Sequence, residues 1–337
     1  MPLLKALVLH APGDLRLEEL PDPTPPPGYV LLRVERAGIC GTDKAFYKGT
    51  YRPGKLPIVL GHEVSGRVVD VGAGVSKDLL GLRVTTEINL YCGKCWYCRS
   101  GMPTHCPYRQ TIGITVDGGM AEYMVTRSDV VHSVEGLSPA EAAFVEPLAA
   151  VVEMVRLAPP PVSGNIAVVG IGTIGLLSIR LISRLYAPSL LVAVAPPDSP
   201  KKELALRSGA DVVASPEEAL EIARKHTPEG AGFDYVVEAT GSPQGFKLAE
   251  ELVRPRGVIA VKSTHGEPVQ VNITMLVVKE VQVSTSRCGP FRDAINLLKK
   301  GAVRVSDLVT SEYPLERGVE AFKKSFDRRE VKIHIVP

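Results

Sequence analysis

A glycine-rich turn between an apolar strand and a helical run is the feature that most constrains the fold of this chain. Gly170, Gly172 and Gly175 form the pattern G-x-G-x-x-G directly after the apolar segment 166–169 and directly before the helical run 176–185. Such glycines allow a tight turn, close approach to a pyrophosphate and packing of the helix on the sheet. The alternative is a turn with only a structural role. The residues predicted to contact a dinucleotide here are Gly170, Gly172, Thr173, Ile174 and Gly175.

The region that contains this turn alternates apolar strands with helices. Alternation of this kind indicates a parallel sheet covered by helices. The predicted strands match the number in a dinucleotide-binding sheet and lie at 166–169, 190–194, 211–214, 235–238, 258–262 and 281–284. A tail with the order helix, strand, helix, strand follows at 291–300, 308–310, 315–326 and 331–336.

The first part of the chain has a different pattern. Short β segments separated by turns rich in glycine and proline run from residue 1 to about residue 151 and indicate an irregular β barrel. A chain of 337 residues is long enough for two domains. We predict that 1–151 and 286–337 form one domain, since the tail returns to complete the barrel, and that 152–285 form the cofactor-binding domain.

Four of the six cysteines are concentrated in one short segment, at Cys92, Cys95, Cys98 and Cys106. Four thiolates can hold Zn²⁺ tetrahedrally, and a closed set of this kind is structural rather than catalytic. We therefore predict a structural zinc lobe at about residues 88–108. The alternatives are disulfides or a redox pair at Cys92 and Cys95. Disulfides need an oxidising compartment, and the N-terminal residues do not resemble a secretory signal.

A second set of possible metal ligands lies outside this lobe, at Cys40, His62, Glu63 and Glu146. Thiolate, imidazole and carboxylate groups from separate segments could hold one zinc ion and leave a fourth position for water or substrate. Pro147 suits the first turn of a helix, which places Glu146 at the N-terminal end of that helix. Taken singly, each of these residues is ordinary, and only their combination indicates a reactive metal site.

The end of the second predicted strand lacks a residue that NAD-binding sheets usually have there. An Asp or Glu at this point accepts a hydrogen bond from the ribose 2′-hydroxyl of NAD. This chain has Pro196 there instead. Either Asp198 takes that role from two residues further on, or Ser199, Lys201 and Lys202 receive the 2′-phosphate of NADP. The predicted cofactor is therefore NAD or NADP.

The overall charge limits the classes of partner. Lys and Arg number 39 and Asp and Glu number 37, a formal net charge of +2 without a basic stripe. Nucleic acids and anionic membrane surfaces are therefore poor candidates. No apolar run approaches the ~20 residues that span a bilayer. We expect a soluble cytoplasmic protein with a small-molecule substrate.

Several motifs occur together in a fixed order along the chain. They are Gly61-His62-Glu63-x2-Gly66-x5-Gly72-x2-Val75, the cysteine quartet, Asp117-Gly118-Gly119-Met120-Ala121-Glu122-Tyr123, Glu146-Pro147-Leu148 and the glycine turn. Over essentially its full length the chain resembles the zinc-containing alcohol dehydrogenases of the medium-chain dehydrogenase/reductase superfamily. The branch of polyol, threonine and sugar dehydrogenases that use a glutamate ligand is the most similar. This resemblance implies a GroES-like irregular β barrel as catalytic domain and a Rossmann domain.

The resemblance also implies roles for individual residues. Cys40, His62 and either Glu63 or Glu146 would hold the catalytic zinc, so that each chain carries two zinc ions. Thr42 matches the family's relay hydroxyl, which takes the proton of the alcohol. Many relatives have a histidine three residues after this threonine, where this chain has Ala45. Thr240 and Arg287 would lie beside the cofactor, with Arg287 near the pyrophosphate.

These expectations define an enzyme that interconverts an alcohol, such as a secondary alcohol, polyol or sugar, and its ketone or aldehyde. Two other interpretations stay open at this point. One is a nucleotide-binding scaffold or sensor without turnover, and the other is zinc-free reduction of an activated double bond. The sixth strand of the sheet is a predicted edge, and unpaired apolar edges invite pairing. We therefore expect a homodimer or homotetramer.

Overall fold

The structure, a computed structural model, describes residues 3–337, which fall into two units. One unit contains the described residues up to Glu146 together with 291–299 and 305–337. The other contains 147–290 and 300–304. The chain therefore leaves the first unit after Glu146, returns to it at Phe291, and leaves it again only for the short segment 300–304.

The strands are β1 Leu3–Ala11, β2 Asp14–Pro21, β3 Tyr29–Gly38, β4 Ile58–Val59, β5 Glu63–Val71, β6 Arg83–Thr86, β7 Asn89–Leu90, β8 Gln110–Thr111, β9 Tyr123–Arg127, β10 Val131–Ser133, β11 Asn165–Val169, β12 Leu190–Val194, β13 Val212–Ala214, β14 Phe233–Glu238, β15 Val253–Val261, β16 Gln282–Thr285, β17 Val309–Pro314 and β18 Lys332–Val336. The helices are α1 Gly41–Lys48, α2 Trp96–Arg99, α3 Pro139–Ala143, α4 Val145–Leu157, α5 Thr173–Tyr186, α6 Lys202–Arg207, α7 Pro216–His226, α8 Pro243–Leu252, α9 Ile273–Val278, α10 Phe291–Lys299 and α11 Gly318–Lys324. Short 3₁₀ turns lie at Lys77–Leu79, Pro103–His105, Ser128–Val130, Pro228–Gly230, Ser306–Leu308 and Leu315–Arg317.

The first unit is built from mostly antiparallel sheets. Its largest sheet has the strand order β10-β6-β5-β3-β18-β17, with β9 also paired to β3, and a smaller sheet has the order β2-β1-β4. Alternate residues of these strands, such as Leu7, Val34 and Ile335, are buried in one apolar core. The last strand, β18, lies between β3 and β17, and His334 is paired with Gly38. The tail of the chain is thus part of the same sheet as β3 and β5.

The second unit contains a six-stranded parallel sheet with the order β13-β12-β11-β14-β15-β16. This order is 3-2-1-4-5-6 in chain sequence, the arrangement of a dinucleotide-binding sheet, and it reverses between β11 and β14. Ligands bind at the carboxyl ends of the strands where such a sheet reverses. The predicted combination of an irregular β barrel with a Rossmann-type sheet is confirmed.

Most strands of this sheet lie within two residues of their predicted bounds, but one begins much earlier than predicted. β15 begins at Val253, whereas the sequence predicts its start at residue 258. Pro255 and Gly257 interrupt the apolar pattern, since both residues are disfavoured inside strands. Val253 nevertheless pairs with Phe233, and the pairing is irregular before Tyr235 meets Val258. An irregular stretch of this kind cannot be read from apolar periodicity alone.

Tyr235 in β14 gives a stability prediction. Its side chain is fully buried, and its hydroxyl has no hydrogen-bond partner among residues 3–337. Burial raises the pKa of this tyrosine, because the charged form would be poorly solvated. A buried polar group without a partner costs about 1–3 kcal/mol. We expect Tyr235→Phe to keep or increase the free energy of unfolding measured by urea titration.

The neighbouring aromatic residue supplies the matched comparison. Phe233 lies on the same strand and is also fully buried. Adding a hydroxyl there should destabilise the protein, so Phe233→Tyr is expected to lower the free energy of unfolding. A clear loss of stability in Tyr235→Phe would mean that its hydroxyl does have a partner.

Candidate active site

Cys40 occupies a fixed position at the junction of β3 and α1. It has an extended backbone and immediately precedes α1. The backbone N–H of Cys40 donates a hydrogen bond to Asp43 Oδ2 at 2.8 Å, which ties the cysteine to the first turn of the helix. A Cβ atom at Gly38 would lie 2.2 Å from Glu63 Oε2, so only glycine allows this close approach of β3 and β5. Local chain geometry therefore fixes the backbone position of Cys40.

His62 is buried against Asp43. His62 Nδ1 lies 3.6 Å from Asp43 Oδ1, and neither atom has a hydrogen-bond partner among the described residues. Burial opposes a positive charge on His62, but the Asp43 carboxylate, the Cys40 thiol and Glu146 outweigh it and raise the pKa of His62 well above its ordinary value. A hydrogen bond with the Cys40 side chain contributes to this rise. The surroundings of His62 therefore stabilise positive charge.

Glu63 forms a buried ion pair with Lys332 of β18. Lys332 Nζ donates a hydrogen bond to Glu63 Oε2. It also donates one to the carbonyl oxygen of Ile39, at 3.2 Å. The two side chains are only 3% and 2% exposed. Burial alone would raise the pKa of Glu63, but the Lys332 ammonium lowers it; burial would lower the pKa of Lys332, but Glu63 raises it. Glu63 thus has a protein cation as its partner.

Glu146 lies in the first turn of α4, as the sequence predicts, and is largely buried. Its negative charge contributes to the raised pKa of both His62 and Lys332, so it belongs to the same cluster. Thr42 follows Cys40 by two residues in α1 and is partly exposed. Asp43, in the same turn of the helix, is fully buried.

The cysteine quartet is close-packed. The four Sγ atoms of Cys92, Cys95, Cys98 and Cys106 all lie within 4.8 Å of one another, and Cys95 Sγ lies 3.4 Å from Cys98 Sγ. A backbone N–H at Lys94 lowers the pKa of Cys92 to about 6, and burial raises the pKa of Cys98 to about 12. Between residues 3 and 337, no other three His, Cys, Asp or Glu ligand atoms meet this closely. The donors at Cys40, His62 and Glu146 therefore stand farther apart than the quartet.

The glycine turn lies in the second unit, between β11 and α5. Gly170 has a left-handed backbone with φ of 96°, and a Cβ atom there would lie 2.7 Å from the carbonyl oxygen of Ala239. A Cβ at Gly175 would lie 1.8 Å from the carbonyl oxygen of Gly170, so helix and turn pack too closely for any side chain. A Cβ at Gly172 would meet nothing within 4 Å. The turn has the close packing and the open side that a pyrophosphate requires.

The other predicted cofactor residues lie on loops that follow strands of the same sheet. The loop between β12 and α6 contains Asp198, Ser199 and Lys201. The backbone N–H of Ser199 donates a hydrogen bond to the carbonyl oxygen of Pro196 at 2.9 Å. The side chain of Asp198 is exposed. Gly170 N donates to Val194 O at 2.9 Å, which places the end of β12 beside the glycine turn. Thr240 follows β14 and Arg287 follows β16. These residues therefore share the carboxyl edge of the sheet.

Sequence reasoning missed the roles of Lys332 and His334. Both are buried in β18, and His334 is fully enclosed. Burial and the nearby Lys332 lower the pKa of His334 to about 3. Neither ring nitrogen of His334 has a hydrogen-bond partner among residues 3–337. The sequence did contain a signal for them, because Lys332 and His334 are two polar residues at alternate positions of an otherwise apolar strand. Alternate residues of a strand lie on the same face.

Comparison with known proteins supports the arrangement described above. The model of the alcohol dehydrogenase GroES-like domain matches residues 26–136, and that of the zinc-binding dehydrogenase domain matches residues 173–301. D-arabitol-phosphate dehydrogenase of Enterococcus avium is 33% identical, with 98% of this chain and 97% of the relative covered. Sorbitol dehydrogenase of Halalkalibacterium halodurans is 31% identical, with 99% of each chain covered.

Solved structures agree with these relatives. A structure from Sinorhizobium meliloti 1021, described as a zinc-binding dehydrogenase and bound to NADP, superposes with a TM-score of 0.91 at 29% identity and covers 100% of both chains. Fold and relatives together define a dehydrogenase, that is, an oxidoreductase. The chain belongs to the zinc-containing alcohol dehydrogenase family of the medium-chain dehydrogenase/reductase superfamily. The resemblance stated from the sequence is confirmed, and the comparisons support an enzyme rather than a scaffold.

Within residues 3–337, every helix is too short or too polar to cross a bilayer.

Proposed function

We propose that the protein is a zinc-dependent, NAD(P)-linked dehydrogenase that interconverts an alcohol and its ketone or aldehyde. The observation that carries this proposal is the contact of the Cys40 thiol with His62, with Asp43 behind the imidazole at 3.6 Å. Zinc-binding histidines commonly direct their second ring nitrogen at a carboxylate. With Nδ1 facing Asp43, Nε2 is the nitrogen left for a metal. The donor set of sulfur, nitrogen and carboxylate oxygen suits a catalytic zinc.

Between the two glutamates, we assign the ligand role to Glu146 and the outer position to Glu63. Glu63 Oε2 is already engaged by Lys332 and would have to leave a buried cation in order to bind a metal. Glu146 acts on His62 through its charge. The structural zinc is assigned to the cysteine quartet, since sulfur atoms within 4.8 Å of one another suit four Zn–S bonds of ~2.3 Å.

When bound, zinc would polarise the substrate oxygen and lower its pKa, and NAD(P) would accept the hydride. The chain's own groups do the remaining work. Asp43 holds the imidazole of His62 in one orientation. The Thr42 hydroxyl accepts the proton of the alcohol and passes it toward solvent, which suits its partly exposed place in the first turn of α1. Ala45 leaves this route without the histidine that many relatives have.

The substrate class we propose is a polyol, a sugar-like alcohol or another secondary alcohol. D-arabitol-phosphate and sorbitol dehydrogenases among the relatives support this assignment. For the cofactor, Gly170, Gly172, Thr173, Ile174 and Gly175 would bind the pyrophosphate with Arg287. Asp198, Ser199 and Lys201 would face the adenosine ribose, and Thr240 the cofactor's path. We also propose a cytoplasmic location, where thiolate zinc sites are maintained.

The experiment is a turnover assay with NAD and NADP against a panel of polyols and their ketones, before and after treatment with a chelator. We expect turnover that depends on one of the two dinucleotides and that is lost on metal removal and restored by added zinc. Tight dinucleotide binding without turnover on any substrate would contradict the proposal. Reduction of activated double bonds that survives chelation would contradict it equally.

We also propose that two copies of the chain associate through the edge strand β16. The helix α9 beside it exposes Val277 at 68% and Val278 at 77%, and Val283 of β16 is exposed as well. Exposed apolar side chains next to an open strand edge favour pairing with a second strand. An identical edge from a second copy gives a closed twofold contact. We expect light scattering to give at least twice the mass of one chain.

The variant Val283→Lys should reduce this mass, because it brings like charges together at the paired edge. Val162→Lys is the matched control, since Val162 is also an exposed valine but lies outside α9 and β16. A wild-type monomer, or an unchanged mass in Val283→Lys, would overturn this interface.

A further inference from the structure

Glu238 is a buried carboxylate at the point where the parallel sheet reverses its strand order. It is the last residue of β14, next to β11 in the sheet, and it is only 1% exposed. Its Oε1 atom accepts hydrogen bonds from Thr240 N at 2.9 Å, from Thr240 Oγ1 at 2.7 Å and from Ser263 Oγ at 2.9 Å. Three donors converge on this single oxygen, so the carboxylate is held in one orientation.

These bonds join two loops. Thr240 belongs to the loop after β14, and Ser263 belongs to the loop after β15. Ser263 Oγ also accepts a hydrogen bond from Gly241 N at 2.8 Å, and Thr240 Oγ1 accepts one from Ser242 N at 3.1 Å. The Glu238 carboxylate therefore determines the backbone path of residues 239–242 and connects that path to the next strand.

The packing around the carboxylate leaves no room for adjustment. A Cβ atom at Gly245, in the first turn of α8, would lie 2.5 Å from Glu238 Oε1 and 2.1 Å from Thr240 Oγ1. Only glycine fits at that position while the hydrogen bonds are kept. The cluster is thus a close-packed unit rather than an incidental contact.

The loop that Glu238 holds forms one wall of the glycine turn. Ala239 N donates to Val169 O at 2.9 Å, immediately before Gly170. A Cβ on Gly170 would lie 2.7 Å from Ala239 O and 3.0 Å from the Thr240 Cα. Any displacement of residues 239 and 240 would therefore open or block the turn. The position of this wall depends on the single Glu238 carboxylate.

We propose that Glu238 is a positioning residue for the dinucleotide, which acts by fixing residues 239–242 and Ser263 beside the glycine turn. This inference rests on the proposed function, because it assumes that a nicotinamide dinucleotide binds at this turn. Glu238 need not touch the cofactor. Binding groups held in place before the ligand arrives lose less entropy on binding, so the carboxylate raises cofactor affinity.

The test measures the Kd of NADH and NADPH by nicotinamide fluorescence for the full-length protein and for Glu238→Ala. Because the variant removes a charged acceptor of three hydrogen bonds that hold the loop in place, we expect Kd to rise about tenfold or more. Glu238→Gln keeps a carbonyl oxygen that can accept the same hydrogen bonds. Its Kd should therefore lie between those of the wild type and of Glu238→Ala. Removing donors instead, with Thr240→Val and Ser263→Ala, should weaken binding in the same direction.

Glu250→Ala is the matched control for the loss of a buried carboxylate. Glu250 is also buried in the second unit, on α8, where its Oε1 accepts from Asn272 N at 3.2 Å. The Glu250→Ala variant should have a lower melting temperature than the wild type but an unchanged Kd for either dinucleotide. Unchanged Kd in Glu238→Ala, or in both donor variants if Glu238→Ala does not fold, would overturn the inference. Failure of the wild-type protein to bind either dinucleotide would instead overturn the proposed function.

Discussion

Replacing His62 by alanine is expected to lower kcat by about 10³-fold or more. His62 is buried, its Nδ1 lies 3.6 Å from Asp43 Oδ1, and we propose it as a ligand of the catalytic zinc. A catalytic metal contributes several kcal/mol of transition-state stabilisation, and each ~1.4 kcal/mol changes the rate tenfold. Steady-state kinetics together with the metal content of the purified variant would check this. The variant should retain the structural zinc and lose the other.

His10→Ala is the control for this change. His10 is a partly exposed residue of β1 that pairs with Glu18 at 2.7 Å, and it is not among the proposed zinc ligands. It should leave kcat within about twofold of the wild type, as expected for a residue outside the reaction. Comparable turnover in His62→Ala and His10→Ala would show that His62 is not a ligand of the catalytic zinc.

Replacing Lys332 by methionine is expected to cost about 3–5 kcal/mol of unfolding free energy, because it leaves the buried Glu63 carboxylate without its cation. Urea titration would measure the loss. Replacing both partners, in Glu63→Gln with Lys332→Met, should cost less than the sum of the single changes, since no unpaired charge remains. Lys5→Met removes the exposed pair with Glu316 and should change stability little.

The same pair predicts how stability depends on pH. The folded pKa of Glu63 is lowered, so its contribution is present above its unfolded pKa of ~4.3 and is lost as the pH falls through the folded value. The folded pKa of Lys332 is raised, so its contribution is present below ~10.4 and is lost as the pH rises through the folded value. The contribution of the intact pair should therefore be constant from about pH 5 to pH 10. In Lys332→Met, burial alone raises the pKa of Glu63, so the variant should lose further stability as the pH rises above ~4.3 and the carboxylate has to ionise without its cation. A difference between wild type and Lys332→Met that vanished at pH 7 would contradict the assigned ion pair.

Motifs formed by residues close together in the chain could be predicted from the sequence. Side-chain contacts such as the Glu63–Lys332 pair, which join distant segments, could not. The glycine turn and the cysteine quartet depend on spacing within short segments, so their geometry follows from the sequence. The parallel sheet follows from the alternation of strands and helices, although β15 begins five residues earlier than predicted because of its irregular start. Glu63 and Lys332 are 269 residues apart in the chain, and only the pairing of β18 with β3 brings them together.

The role of Glu238 was hidden for a different reason. The sequence places it correctly at the end of a strand, where a carboxylate could equally face solvent or a ligand. Its three donors come from backbone and hydroxyl groups of two loops, and loop paths do not follow from periodicity. Similarly, the assignment of Glu146 rather than Glu63 to the metal depends on Lys332, which the motif containing Glu63 does not include.

The measurement that tests the central claim most directly is anomalous diffraction from crystals of the purified protein above and below the zinc absorption edge. We predict two zinc peaks in each chain, one among the four cysteine sulfurs and one among Cys40, His62 and Glu146. A single peak at the cysteine quartet, in crystals of protein that oxidises an alcohol with NAD or NADP, would contradict the proposed catalytic zinc.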